Sequence, residues 1–139
     1  MQPPVHQIAD DESVWRYVSE EHIVTDPATG RTRLSSAAFS DSSDGSPMSV
    51  VVEPVADQLN LVPADAMEGR PKAVGVLALN AGALRGEGQT VTHTPIVDAP
   101  EPHPCDPAHG SVAGRKSKSM QRRWAKAPTW LIRPEGLTA

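Results

Sequence analysis

His22 and His109 are the side chains in this sequence best suited to moving protons near neutral pH. Ser35, Ser36 and Lys118 supply two hydroxyls and a cation with which they could work. One imidazole held neutral as a base and the other protonated as an acid would suit phosphodiester cleavage, or acyl or phosphoryl transfer. Lys118, Arg31 or Arg33 would then stabilise the developing anion. Ser35 or Ser36 becomes a nucleophile only if a histidine reaches its hydroxyl. In the competing reading those hydroxyls bond to nearby backbone at a strand end and His109 packs beside it. A small, toxin-like hydrolase or transferase using His22 and His109 is therefore one function class to be tested.

Charge supplies the other. Residues 115–139 carry seven bases, Arg115, Lys116, Lys118, Arg122, Arg123, Lys126 and Arg133, against the single acid Glu135, a net of +6. Residues 1–114 hold six bases and sixteen acids, a net of −10. Lysines and arginines gathered on one element can neutralise phosphates and release counterions. A nucleic acid or an acidic protein is the partner this asymmetry favours, with Arg115, Lys116, Lys118, Arg122, Arg123 and Lys126 as the anion-binding set. Trp124 or Trp130 could stack on a base if either ring were exposed. Alternatively, Met120 and Trp124 fasten the segment to a core and leave a solvated basic face.

Metal and cofactor chemistry find little support. His93, His103, Cys105 and His109 fall within 17 residues, yet His103-x-Cys105-x3-His109 has no paired Cys-x2-4-Cys ligands, so no metal site is expected. The glycines of Gly82-x3-Gly86-x-Gly88 lack both the spacing and the Lys-Ser/Thr of a phosphate loop, and no cofactor is expected. Cys105 is the one cysteine, so no intrachain disulfide can form. No apolar segment follows Met1 and no apolar run approaches about 18 residues, so the expected location is the cytoplasm without membrane insertion. Oligomeric state is not legible.

The elements that must position these groups follow from periodicity. A chain of 139 residues fits one domain, and its 14 valines, the commonest large apolar residue, favour strands over helices. The alternation at Val14-Trp15-Arg16-Tyr17-Val18 predicts a strand, residues 19–22 one turn, and Ile23 to Thr25 renewed extension. Asp26-Pro27-Ala28-Thr29-Gly30 has the composition of a tight reversal. Residues 31–39 read as a strand passing into irregular structure, residues 40–47 as a surface loop, and residues 48–53 as a strand that Pro54 ends. A short helix is expected from Pro63 to Glu68, a buried strand from Ala73 to Asn80 with a helical turn after it, and strands at residues 90–97 and 108–113. Met120, Trp124 and Ala127 form an apolar stripe on a helix over residues 117–127, which Pro128 stops before an apolar strand at Trp130-Leu131-Ile132.

Several of these residues together carry a resemblance. His22 before Ile23-Val24, then Ser35-Ser36-Ala37-Ala38-Phe39, Gly45 with Met48-Ser49-Val50, and Pro107-Ala108-His109 leading to Gly114 and Lys116 resemble a widespread group of small bacterial proteins of unassigned activity. The likeness spans roughly residues 14–132 and implies a bacterial or phage origin and one small domain. Gly110 stands here where that group has alanine after the histidine.

The expected architecture is a small α+β domain over residues 13–133, mainly antiparallel or mixed strands with a C-terminal basic amphipathic helix and a terminal apolar strand. Flexible ends are expected at residues 1–12 and 134–139, with mobile loops at residues 40–47 and 98–107. The expected role is binding of an anionic partner through residues 115–133, and whether the protein is an enzyme stays open.

Overall fold

The strand β1, Ser13–Ser19, is buried along both of its faces, and the rest of the fold is organised around it. In the computed structural model, which describes residues 5–96 and 106–138, its neighbours are β4 (Met48–Val52) and β5 (Ala73–Asn80). The remaining strands of the sheet are β6 (Thr90–His93), β7 (His109–Ala113) and β8 (Thr129–Ile132). The spatial order is β6-β7-β4-β1-β5-β8, with every pairing antiparallel. A separate hairpin joins β2 (Ile23–Thr25) to β3 (Thr32–Leu34). Among the described residues three α-helices, α1 (Glu53–Gln58), α2 (Ala81–Gly86) and α3 (Lys118–Lys126), complete a small α+β domain.

Strand registers assign the two faces, because residues directly opposite one another point the same way. Val14 lies opposite Val52 and Leu79, Val50 opposite Gly110, Met48 opposite Val112, and Val112 opposite Val91. This is the core face, where Val14, Val18, Met48, Val52 and Val112 are fully buried with Phe39. Burial of each large apolar side chain contributes about 1.5–3 kcal/mol. Gly110 is required here: a Cβ would come within 2.7 Å of Val52 Cγ2 and 3.0 Å of the Thr92 carbonyl oxygen. The short α2 packs against both β5 and β6 although three strands separate them, so the sheet curls about it.

The opposite face carries Trp15, Tyr17, Ser49, Val51, His109 and Ser111. The 3-10 turn Pro63–Met67 covers it against β1, β5 and β8, and the Trp15 indole donates to Glu53 Oε2 at 2.8 Å. Past Trp15 the pairing of β1 with β4 ceases, and the Arg16 side chain enters the opening. Its Nε donates to the Ala38 carbonyl at 3.0 Å and Nη1 to the Ser49 carbonyl at 2.9 Å. Its guanidinium carbon lies 5.2 Å from the Tyr17 ring centre, with that of Arg70 at 4.4 Å from the same ring. A buried guanidinium thus replaces the ladder hydrogen bonds that the diverging strands cannot make.

Local chemistry explains most element boundaries. At the hairpin turn the Asp26 carboxylate accepts from Ala28 N at 2.8 Å and Gly30 takes a positive φ of 72°. β4 stops at Val52, as Pro54 requires, and the same proline stands in the first turn of α1, where its missing N–H costs nothing. Two expectations are narrowed. Within residues 31–39, expected to run from strand into irregular structure, the strand covers only Thr32–Leu34, since Ser35 caps a 3-10 turn at Ser36–Phe39. The strand expected over residues 90–97 pairs regularly only to His93, because Pro95 has no N–H to donate; a lone bridge joins Ile96 to Asp106.

Residues 5–12, within the stretch expected to be a flexible terminus, pack on the sheet. Ile8 is buried, His6 N donates to His93 Nδ1 at 2.8 Å, and Ala81 N donates to the Glu12 carbonyl at 2.9 Å. Near the other end Leu137 is buried and Thr138 exchanges hydrogen bonds with Thr32. The expected mobile loop at residues 98–107 falls largely outside the described residues.

Candidate functional site: a basic groove and a polar sheet face

The basic helix α3 begins at Ser117, whose hydroxyl accepts from Met120 N at 3.2 Å. Met120 and Gln121 are buried, and Trp124 packs edge-on against Phe39 with ring centres 5.6 Å apart. The Gln121 amide donates to the Phe39 carbonyl at 3.0 Å, tying the helix to the 3-10 turn beneath. The expected stripe of Met120, Trp124 and Ala127 is rotated in the fold, with Ala127 exposed and Gln121 facing inward. Glutamine is tolerated there because its amide meets a carbonyl the turn leaves unpaired. Trp124, engaged with Phe39, does not stand free as a stacking platform.

Docking sorts the basic residues into two groups. Lys116 Nζ is bonded to Asp41 at 2.7 Å and to the Val112 carbonyl at 2.8 Å, and only 3% of its side chain is exposed. Arg123 pairs with Glu87 at 2.6 Å. Arg115, Lys118, Arg122 and Lys126 have no acidic partner among the described residues. The basic face therefore shrinks to a ridge of Lys118, Arg122 and Lys126, one helical turn apart.

Arg122 and Lys126 also form one wall of a groove of about 560 Å³. Arg33, Leu34, Ser35 and Ser36 line it as well, with Ala125 and Pro128. Ser35 Oγ is occupied in capping, accepting from Ala37 N at 3.1 Å. Three cations and two serines converge there, and no acid lines the groove. Ser35 and Ser36 thus share a groove with Arg122 and Lys126, and among the described residues neither hydroxyl bonds to a histidine. Arg33 entered the sequence reading only as one cation among several, because nothing local places β3 against α3.

The two histidines sit in separate surroundings. His22 ends the turn after β1, with Nδ1 accepting from Ser19 N at 3.2 Å and its carbonyl accepting from Ser35 N at 2.7 Å. Partial burial, reinforced by the nearby Arg16 charge and opposed by Glu21, holds its pKa below the usual histidine value. His109 projects from β7 onto the open sheet face. Its Nδ1 lies 2.9 Å from the Thr94 carbonyl oxygen and its Nε2 3.2 Å from Ser49 Oγ. Among the described residues the two histidines share no hydrogen bond.

His93 and His109 lie on opposite faces, His93 being opposite Gly110 in the ladder and both its ring nitrogens being engaged, by His6 N and the Pro107 carbonyl. His103 and Cys105, weighed with them as metal ligands, lie outside the described residues, among which no cluster of three metal-ligating side chains occurs. No described helix is long and apolar enough to cross a membrane. Comparison with protein-family models, with curated proteins and with solved structures finds no match for this chain.

Proposed function

We propose that this chain is a cytoplasmic bacterial binding module that takes phosphate groups of a nucleic acid into the groove between α3 and β3. The observation that carries this reading is the convergence of Arg33, Arg122 and Lys126 on one concavity that no acid lines. Arginine offers forked donors to a phosphate and lysine a point charge, while Ser35 and Ser36 add hydroxyls to the wall. Contact is with the backbone, because Trp124 is committed to Phe39, so discrimination among sequences is weak. The anion-binding set becomes Arg33, Arg122 and Lys126, extended along the helix by Lys118, while Lys116 and Arg123 serve the fold.

The test is fluorescence anisotropy of labelled single-stranded RNA and DNA with increasing salt. Three phosphate contacts give a slope of log affinity against log salt of about −2 to −3. The double variant Arg122→Glu with Lys126→Glu reduces affinity at least about 10-fold at roughly 50 mM salt and flattens that slope by about 2. Equal binding of polyglutamate would reassign the partner to an acidic protein, and absence of any salt-sensitive binding would leave the groove without this role.

A further inference from the structure

On the far side of the sheet, strand register brings a hydroxyl and an imidazole together that are 60 residues apart in the chain. Ser49 of β4 lies opposite Ser111 of β7, and His109 lies opposite Val51, so Ser49 and His109 are diagonal neighbours on one face. The protonation pattern follows from the partners. The Thr94 carbonyl can only accept, so His109 Nδ1 carries the proton and donates across 2.9 Å. Nε2 is then the bare nitrogen, and it accepts from the Ser49 hydroxyl at 3.2 Å. Thr94 Oγ1, itself 2.8 Å from Ser111 Oγ, stands 3.0 Å from the same Nδ1 and braces the ring.

We infer that Ser49 and His109 form a nucleophile and general-base pair that hydrolyses small carboxylic esters, a second activity on the face opposite the core. The order is nucleophile, base and orienting acceptor, with the Thr94 carbonyl in the orienting place. Both side chains are half-buried and line a cleft with Tyr17, Asp106 and Arg70. The space in that cleft is about 10 Å³, close to the lower limit for one water-sized group, so an ester lies along the face outside it with its carbonyl at the rim. The Arg70 guanidinium, held over Tyr17, lines the same cleft and is the cation it offers to a developing oxyanion.

In the first step Ser49 Oγ bonds to the ester carbonyl carbon, its proton passes to His109 Nε2, and the carbonyl electron pair moves onto oxygen. Collapse breaks the bond to the alcohol, which leaves with the proton from Nε2. A water molecule then repeats the sequence on the acyl-serine, releasing the acid and restoring the hydroxyl. The net reaction is ester plus water giving acid plus alcohol.

The test is covalent labelling of the intact chain with a fluorophosphonate, which forms an Oγ–P bond to the nucleophile and releases fluoride, read by intact mass and peptide mapping. One adduct at Ser49 is expected, absent in Ser49→Ala and formed about 100-fold more slowly in His109→Gln. Thermal melts of both variants verify folding, and Ser43→Ala, at an exposed serine outside the cleft, keeps the labelling rate. Hydrolysis of a p-nitrophenyl ester follows the same order among the variants. An unlabelled native protein, an adduct on another serine, or an undiminished rate in folded His109→Gln overturns the assignment.

Discussion

The groove beside α3 and the polar face of β4 and β7 use polar groups in opposite ways. In the groove, Arg33, Arg122 and Lys126 stand without acidic partners among the described residues, and their effect is a field. On the sheet, Ser49, His109, Thr94 and Ser111 are bonded to one another at 2.8–3.2 Å, and their effect depends on contact. A field tolerates displacement of an ångström but is screened within about 8 Å at physiological salt. A hydrogen-bonded pair is nearly indifferent to salt but fails when its strands shift. The two regions should therefore respond to different perturbations.

Arg16 joins them, since its guanidinium holds the Ala38 carbonyl of the turn under α3 and the Ser49 carbonyl of β4. Arg16→Leu leaves both acceptors buried and unpaired, and a loss of about 3 kcal/mol in unfolding free energy is expected from urea denaturation. Both the nucleic-acid binding proposed for the groove and the labelling of Ser49 are expected to weaken in this variant; retention of either would show that region to be independent of the link.

A more selective break is Gln121→Ala, which deprives the Phe39 carbonyl of its donor and loosens α3 alone. The expected cost is about 1–2 kcal/mol, seen as a lower thermal midpoint, with reduced anion binding and unchanged Ser49 labelling. If labelling fell equally, the two regions would be one cooperative unit.

The smallest expected effect concerns His22. Its folded-state pKa lies below the unfolded value, so the unfolded chain binds the proton more readily. The stability contribution is fully present above the ordinary histidine value of about 6.5 and declines as pH falls through it toward the lowered folded value. Protonating Nδ1 also ends its acceptance from Ser19 N. Acid therefore loosens the turn whose carbonyl anchors Ser35 at the groove rim, and His22→Gln flattens this part of the stability profile measured by chemical denaturation between pH 7 and pH 5.

Much of the fold was legible because its signals are local. The alternation around Trp15, the three valines of β4, the reversal at Asp26 to Gly30 and the step from β5 into α2 all lie within a few residues of one another. α1 was missed because proline after a strand is an equally good terminator and helix opener. The basic helix was placed correctly, but its orientation was off by one position, since an inward glutamine carries no apolar signal. Of the candidate site residues, Ser35 and Ser36 were noticed for nucleophilic chemistry and Arg122 and Lys126 for charge; the fold puts all four in one groove.

The sequence by itself determined the strand-rich α+β class, the segregation of charge and a docked basic helix, because propensity, hydrophobic period and net charge act over short spans or over composition. Only the tertiary structure decided which charges remain available. Lys116 is neutralised by Asp41, 75 residues away, and Arg123 by Glu87, 36 residues away. It also decided that His109 meets Ser49 rather than His22, Ser35 or Ser36. Hydrogen bonds and ion pairs act over a few ångströms, so their partners follow from strand register and helix docking, neither of which leaves a local trace in the chain.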